Sequence, residues 1–178
     1  MAESIAEVGY GNTMVADVVR RARTSKSKFY AEFDGREACL LTLLSETNDA
    51  NLAGVAAAVD PTAPWQTQVR QAVETWFECS ERRRPLTLTW IRDVPGLGPA
   101  ARTLQRSAMD RFVQLVQTLS DTDELKAVGI GPIPHARAVL LIGGIRELTA
   151  HTVEHDRPLA AVTEEAVRSA IALINPSI

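Results

Sequence analysis

Residues Ala16–Phe33 read ADVVRRARTSKSKFYAEF. The nine residues from Arg20 to Lys28 hold five positive charges and no acid, although the 178-residue chain carries a net charge of −3 and a pI near 5.6. Just upstream, Val15, Val18, Val19 and Ala22 share one face of a short helix. Phe29 and Phe33, four apart, share a face of a second. Packing these faces together turns Lys26, Ser27, Lys28, Tyr30 and Ala31 outwards. Two short helices joined by a turn of about three or four residues predict a helix-turn-helix, whose second helix fits the major groove of DNA. The lysines suit phosphates or guanine acceptors, Ser27 suits base edges, and the Tyr30 hydroxyl suits a backbone phosphate.

Working outward, Pro and Gly punctuate the chain at Asp60–Pro64, Asp93–Pro99, Gly129–Pro134 and Asp156–Pro158. Between these loops, apolar residues recur at spacings of three and four, and no stretch alternates with period two. The expectation is an all-α fold of about nine helices. They are a stub to Val8 with a turn at Gly9-Tyr10, a helix over Met14–Arg21 capped by Thr13, and one over Lys26–Phe33 capped by Ser25. A long helix follows over 36–57, with Asp34 and Glu37 at capping-box spacing, and further helices cover 65–84, 86–93, 99–119, 134–154 and 163–174.

The composition, 46% hydrophobic, 23% charged and 5% aromatic, is that of a globular chain that favours helix over strand. Cys39 and Cys79 lie in helical patterns, which reads as a reducing cytoplasm without disulfides. With no run of 18 apolar residues and no signal-peptide layout, the expectation is a cytoplasmic protein without a membrane partner. Residues 1–36 carry a local charge of +1 and residues 37–178 a charge of −4.

The order Gly9-Tyr10, Thr13-x-x-x-Asp17-Val18-Val19-x-x-Ala22, Ser25-Lys26-Ser27-Lys28-Phe29-Tyr30-x-x-Phe33, Arg36-Glu37-x-x-Leu40 resembles the DNA-binding module of the tetracycline-repressor (TetR) family. The resemblance implies two domains: 1–35, a helix-turn-helix, and 36–178, a helical domain for ligand binding and dimerisation. It implies a homodimeric transcriptional regulator, usually a repressor, released from a palindromic double-stranded DNA operator by a small-molecule effector. By position, Lys26, Ser27, Lys28 and Tyr30 would contact DNA, with Ser25 at the start of the same helix and Thr13 and Arg36 near phosphate. The family's turn usually has glycine where this chain has Arg23, which costs about 1 kcal/mol if φ is positive. Glu32 stands where a histidine is frequent, and the first helix reads as truncated. These departures keep an alternative open: a TetR-fold ligand-binding protein with weak or lost DNA binding.

In the body, Trp76, Phe77, Trp90, Met109, Phe112 and Leu115 read as plain core or, in a family built around a cavity, partly as its lining. The candidates for ligand binding are Trp76, Trp90, Met109, Phe112 and Glu147. They suit a mainly apolar effector, with Arg92, Gln105 or Glu147 supplying polar contacts. Ala138, Val139, Leu141, Ile142, Ile145, Leu148 and Thr149 give one broad apolar face, interrupted by Gly143-Gly144. Val167, Ala170, Ile171 and Ile174 give another. By the resemblance these two helices, about 134–154 and 163–174, form the dimer interface, and close helix approach would explain the glycines. Arg82, Arg83 and Arg84 suit the negative end of a helix or ion pairs to the DNA-binding module. Glu147, His151 and His155 recur every four residues, yet without a fourth ligand they read as surface or interface groups and no metal or cofactor is expected. No phosphate loop or nucleophile elbow is present, so no residue supports an enzyme.

Overall fold

The computed structural model describes residues 1–175. Among them every regular element is helical: α1 (Ala2–Asn12), α2 (Val15–Arg21), α3 (Lys26–Glu32), α4 (Arg36–Ala58), α5 (Trp65–Arg82), α6 (Arg84–Arg92), α7 (Gly98–Ser120), α8 (Asp123–Ala127), α9 (His135–Glu154) and α10 (Thr163–Ile174). Short 3-10 turns at Val94–Gly96 and Leu159–Val162 precede α7 and α10.

The ends of these helices follow local chemistry, with several differences from expectation. α1 is broken at Gly9, whose φ of 74° suits glycine, and the expected turn lies there. Thr13 does not cap α2. Met14 holds that position, with its N–H donated to Asp17 Oδ2 at 3.2 Å. Asp34 does not cap α4 either, because Gly35 at φ 147° occupies the N-cap without a side-chain bond. α8, unforeseen, brings the total among the described residues to ten. Thr122 caps it, and Gly129 at φ 79° closes it by giving its N–H to Lys126 while Ile130 gives its own to Leu125.

Four apolar clusters hold the helices together. The largest joins α5, α7, α9 and α10 through Phe77, Phe112, Val113, Leu141, Ile145 and Val167. A second joins α1, α4, α6 and α7 through Ile5, Tyr10, Leu40, Leu44, Leu86 and Ala101. The third seats α2 and α3 on α4 through Val18, Val19, Phe29 and Cys39, and burial pushes the Cys39 thiol pKa up. In the fourth, Trp65 meets Leu125 and Ile130, which anchors α8. α10 is also tied to α5 by the exposed Arg70–Glu164 pair, with Nη2 and Oε2 at 2.9 Å.

The apolar stripes of α9 and α10 therefore have a different use from the one expected. Ala138, Leu141, Ile142, Ile145 and Thr149, with Val167 and Ala170, are buried within the protomer. A strongly apolar stripe reports burial, not what buries it. What α9 leaves outside is the row Ala136, Leu140, Gly144, Glu147 and His151, with Leu140 66% exposed. Among the described residues, and apart from α9's own backbone, no heavy atom lies within 4 Å of where a Cβ on Gly143 or Gly144 would stand, so no other described helix approaches closely there.

Arg23, at φ 50°, does occupy the left-handed turn between α2 and α3. Its N–H goes to Arg20 and that of Thr24 to Val19, the pattern that glycine usually closes. Arg23→Gly is therefore expected to stabilise the protein by up to about 1 kcal/mol. This is read as a higher urea midpoint at unchanged slope, and a lowered midpoint would contradict the assignment.

Candidate nucleic-acid interface and body cavity

α3 is built to present one face. The Ser25 hydroxyl accepts the Lys28 N–H at 3.1 Å and starts the helix. Phe29, 4% exposed, pins the helix from behind, and Phe33 lies 5.4 Å away, ring to ring. Lys26, Ser27, Lys28 and Tyr30 are thereby left facing solvent, Tyr30 at 58%. Ala22, expected on the packed face of α2, is exposed.

The basic run divides into paired and unpaired charges. Arg20 meets Asp17 at 3.3 Å, and Arg21 meets Glu7 and Glu3. Among the described residues Arg23, Lys26 and Lys28 have no ion pair, so the positive field of this segment comes from its turn and the start of α3. Glu32, at the far end of α3, is exposed.

Two residues expected at phosphates are turned inward instead. Thr13 is fully buried and donates its hydroxyl to the Gly9 carbonyl at 2.8 Å. Arg36 donates through Nη1 to the carbonyls of Tyr10, Gly11 and Thr13 at 3.3, 3.2 and 2.9 Å. Its guanidinium also lies 4.4 Å over the Tyr10 ring. The cause is local: α1 ends at Asn12, so the carbonyls of its last turn and of Thr13 just beyond lack i+4 helical donors, and a cation on the first turn of α4 takes them.

Trp76, Trp90, Met109, Phe112 and Glu147 line one cavity of about 420 Å³ between α4, α5, α6, α7 and α9. Gln105 lines it too, whereas Arg92 pairs with Glu154 at 3.5 Å. Trp76 and Phe112 meet edge to face with centroids 4.6 Å apart. The Trp76 indole N–H donates to Thr149 Oγ1 at 3.0 Å. These two rings also wall a second cavity of about 100 Å³, lined almost wholly by aliphatic groups of α5, α7, α9 and α10. Sequence reasoning missed the polar lining of the larger cavity: Asn48 and Asn51 on α4, Arg83 at the end of α5 and Arg146 on α9. Arg83 Nη1 donates to Asn51 Oδ1 at 3.3 Å.

The other constellations are structural. Arg84 reaches the C-terminal end of α9, donating to the Val153 and Arg157 carbonyls and to Asp156, where a cation meets the negative pole of a helix. His155 caps α9 with Nδ1 2.7 Å from the His151 carbonyl. Among the described residues, no group of three or more His, Cys, Asp or Glu is placed to hold a metal ion, and no helix is long and apolar enough to cross a membrane.

Residues 2–43 match the family model of bacterial regulatory proteins of the tetR family. The match covers the helix-turn-helix and the start of α4, so the N-terminal segment is similar to the TetR DNA-binding module. No curated protein sequence matches it. Among solved structures, the fatty acid degradation regulator FadR of Bacillus halodurans is 16% identical with a TM-score of 0.79, over 98% of this chain and 94% of that one. FadR of Bacillus subtilis, solved with stearoyl-CoA, gives the same figures. PfmR of Thermus thermophilus, a TetR-family transcriptional regulator, is 19% identical with a TM-score of 0.62, over 97% and 93%. At such identities the likeness is one of fold.

Arg36→Met is expected to loosen the TetR module by about 2 kcal/mol, the scale of hydrogen bonds from a charged donor. Amide hydrogen exchange should quicken across residues 1–33 and stay unchanged in α5, α7 and α9. Unchanged exchange in α1 would refute the clamp.

Proposed function

We propose that the protein is a homodimeric, ligand-responsive repressor that reads a palindromic DNA duplex in the cytoplasm. The observation that carries this reading is the exposed row Lys26, Ser27, Lys28 and Tyr30, held outward by the buried Phe29, with no ion pair on either lysine among the described residues. Lys26 and Lys28 would meet phosphates or guanine edges, and Tyr30 a phosphate oxygen. Ser25 helps by fixing the start of α3, and Thr13 and Arg36 by holding the module rigid. In a dimer, two modules about 34–36 Å apart would enter successive major grooves.

The large cavity is the proposed effector site, with Trp76, Trp90, Met109, Phe112 and Glu147 on its walls. The stearoyl-CoA complex of the Bacillus subtilis FadR supports a long apolar effector in this fold. Leu44 and Leu86 line the cavity and also belong to the cluster of Ile5 and Tyr10, against which Arg36 is stacked. Effector volume between α4 and α6 would then shift α4 and carry the module with it. DNA and effector would weaken each other's binding by the same factor.

For dimerisation, the exposed row Ala136, Leu140, Gly144 on α9, beside α10, offers small and apolar groups to a two-fold copy. Sedimentation should give twice the chain mass, and Leu140→Asp should shift it towards the monomer. A monomeric wild type would end the dimer reading.

Lys26→Ala and Lys28→Ala should each weaken binding to the gene's own upstream duplex. Each should also lower the slope of log affinity against log salt by about 1. Fluorescence anisotropy over a salt series measures both. If the wild type forms no specific complex, the ligand-binding protein without DNA binding is the correct alternative.

A further inference from the structure

Arg146 serves neither the packing of the body nor the DNA-reading helix. Several other arginines of the body meet carboxylates, among them Arg70 with Glu164, Arg84 with Asp156, Arg92 with Glu154 and Arg111 with Asp49. Arg146 lines the 420 Å³ cavity from α9, half-buried, and among the described residues no hydrogen bond or ion pair engages its guanidinium. Burial lowers its pKa, and only the neighbouring Glu147 acts against this. From α4, the Asn48 amide nitrogen reaches the same cavity, buried and without an acceptor among the described residues. Arg83 adds a second guanidinium with one nitrogen on Asn51.

Among the described residues the charged lining is thus in positive excess, with two arginines against the carboxylate of Glu147, and the donors of Arg146 and Asn48 are unengaged. Donors taken out of water and left unpaired cost free energy, which an acceptor brought from outside the chain would recover. One negative charge matches the one positive charge in excess, and a planar carboxylate fits the guanidinium fork. A phosphate monoester would bring close to two charges. Past Trp76 and Phe112 lies the smaller cavity, lined by Val73, Val116, Leu141 and Ile145, which suits a hydrocarbon chain.

Resting on the effector-site reading above, we infer that the cavity takes an aliphatic carboxylate. Its head lies on Arg146 and the Asn48 amide, and its tail runs along Trp76 and Phe112 into the aliphatic cavity. The test titrates the full chain with decanoate, 1-decanol and decyltrimethylammonium, which share a tail and differ in head charge. Tryptophan fluorescence reports binding, because Trp65, Trp76 and Trp90 all stand on cavity walls.

Decanoate should bind at least about tenfold more tightly than decanol, the scale of one charge-assisted hydrogen bond, and the cation most weakly. Arg146→Gln, checked for wild-type circular dichroism, should bring decanoate down to the affinity of decanol and leave decanol unchanged. Asn48→Leu should weaken decanoate alone, several-fold, and decides the matter if Arg146→Gln fails to fold. Equal affinity of acid and alcohol in the wild type overturns the carboxylate inference while leaving an apolar effector site in place. Binding of none of the three probes overturns the effector site as well.

Discussion

Three backbone carbonyls converge at the end of α1, and the guanidinium of Arg36 answers all of them. Most else in the N-terminal third depends on that arrangement. Gly9 breaks α1 and turns Tyr10 inward, where it joins Leu40 and Leu44 of α4 and Leu86 of α6. Arg36, on the first turn of α4, then stacks on Tyr10 and fixes the loop leading to α2. A DNA-reading helix needs a defined attitude, and α3 takes its attitude from α4 through this clamp and through Phe29 on Cys39. The charge that could have met a phosphate is used to hold the reader in place.

What could be read from the sequence follows the range of the interactions involved. α2 and α3 are specified by neighbours: the Ser25 cap, the Phe29–Phe33 pair and the Val18-Val19 face all act within a few residues. The left-handed turn at Arg23 was foreseeable for the same reason. The inward turn of Arg36 was not, because it requires the end of α1, 23 to 26 residues away, to be brought against the first turn of α4. α8, at five residues, is shorter than two turns and shows no period of its own; its identity depends on Trp65 across the fold.

The body gives a sharper lesson. The large apolar side chains Trp76, Trp90, Met109 and Phe112 fall on one cavity, since bulky groups at helical spacing must point inward and cannot fill a five-helix junction completely. Their polar companions Asn48, Arg83 and Arg146 come from three separate stretches of the chain, and in sequence each looks like an ordinary surface residue. Only the crossing of α4, α5 and α9 brings them to one space. The same crossing turned the α9 stripe towards the core and left Leu140 outside, so the amphipathic pattern was right about burial and silent about partner.

The clamp and the cavity share α4, which gives the proposed coupling a physical route. A ligand shifts an equilibrium only by its differential affinity for two arrangements. Apolar walls alone discriminate weakly, since a tail slides with small change in contact. Hydrogen bonds from Arg146 on α9 and Asn48 on α4 are directional, so a head held by both is sensitive to the distance between those helices. A change of less than an ångström there would spoil one bond, a cost comparable to the 1–3 kcal/mol or so typical of allosteric coupling. α4 carries Asn48 at mid-length and Arg36 at its first turn, so the helix that registers the head also sets the attitude of the reader. On this argument the polar end of the cavity determines whether occupancy is transmitted, and the apolar end determines how tightly the effector is held.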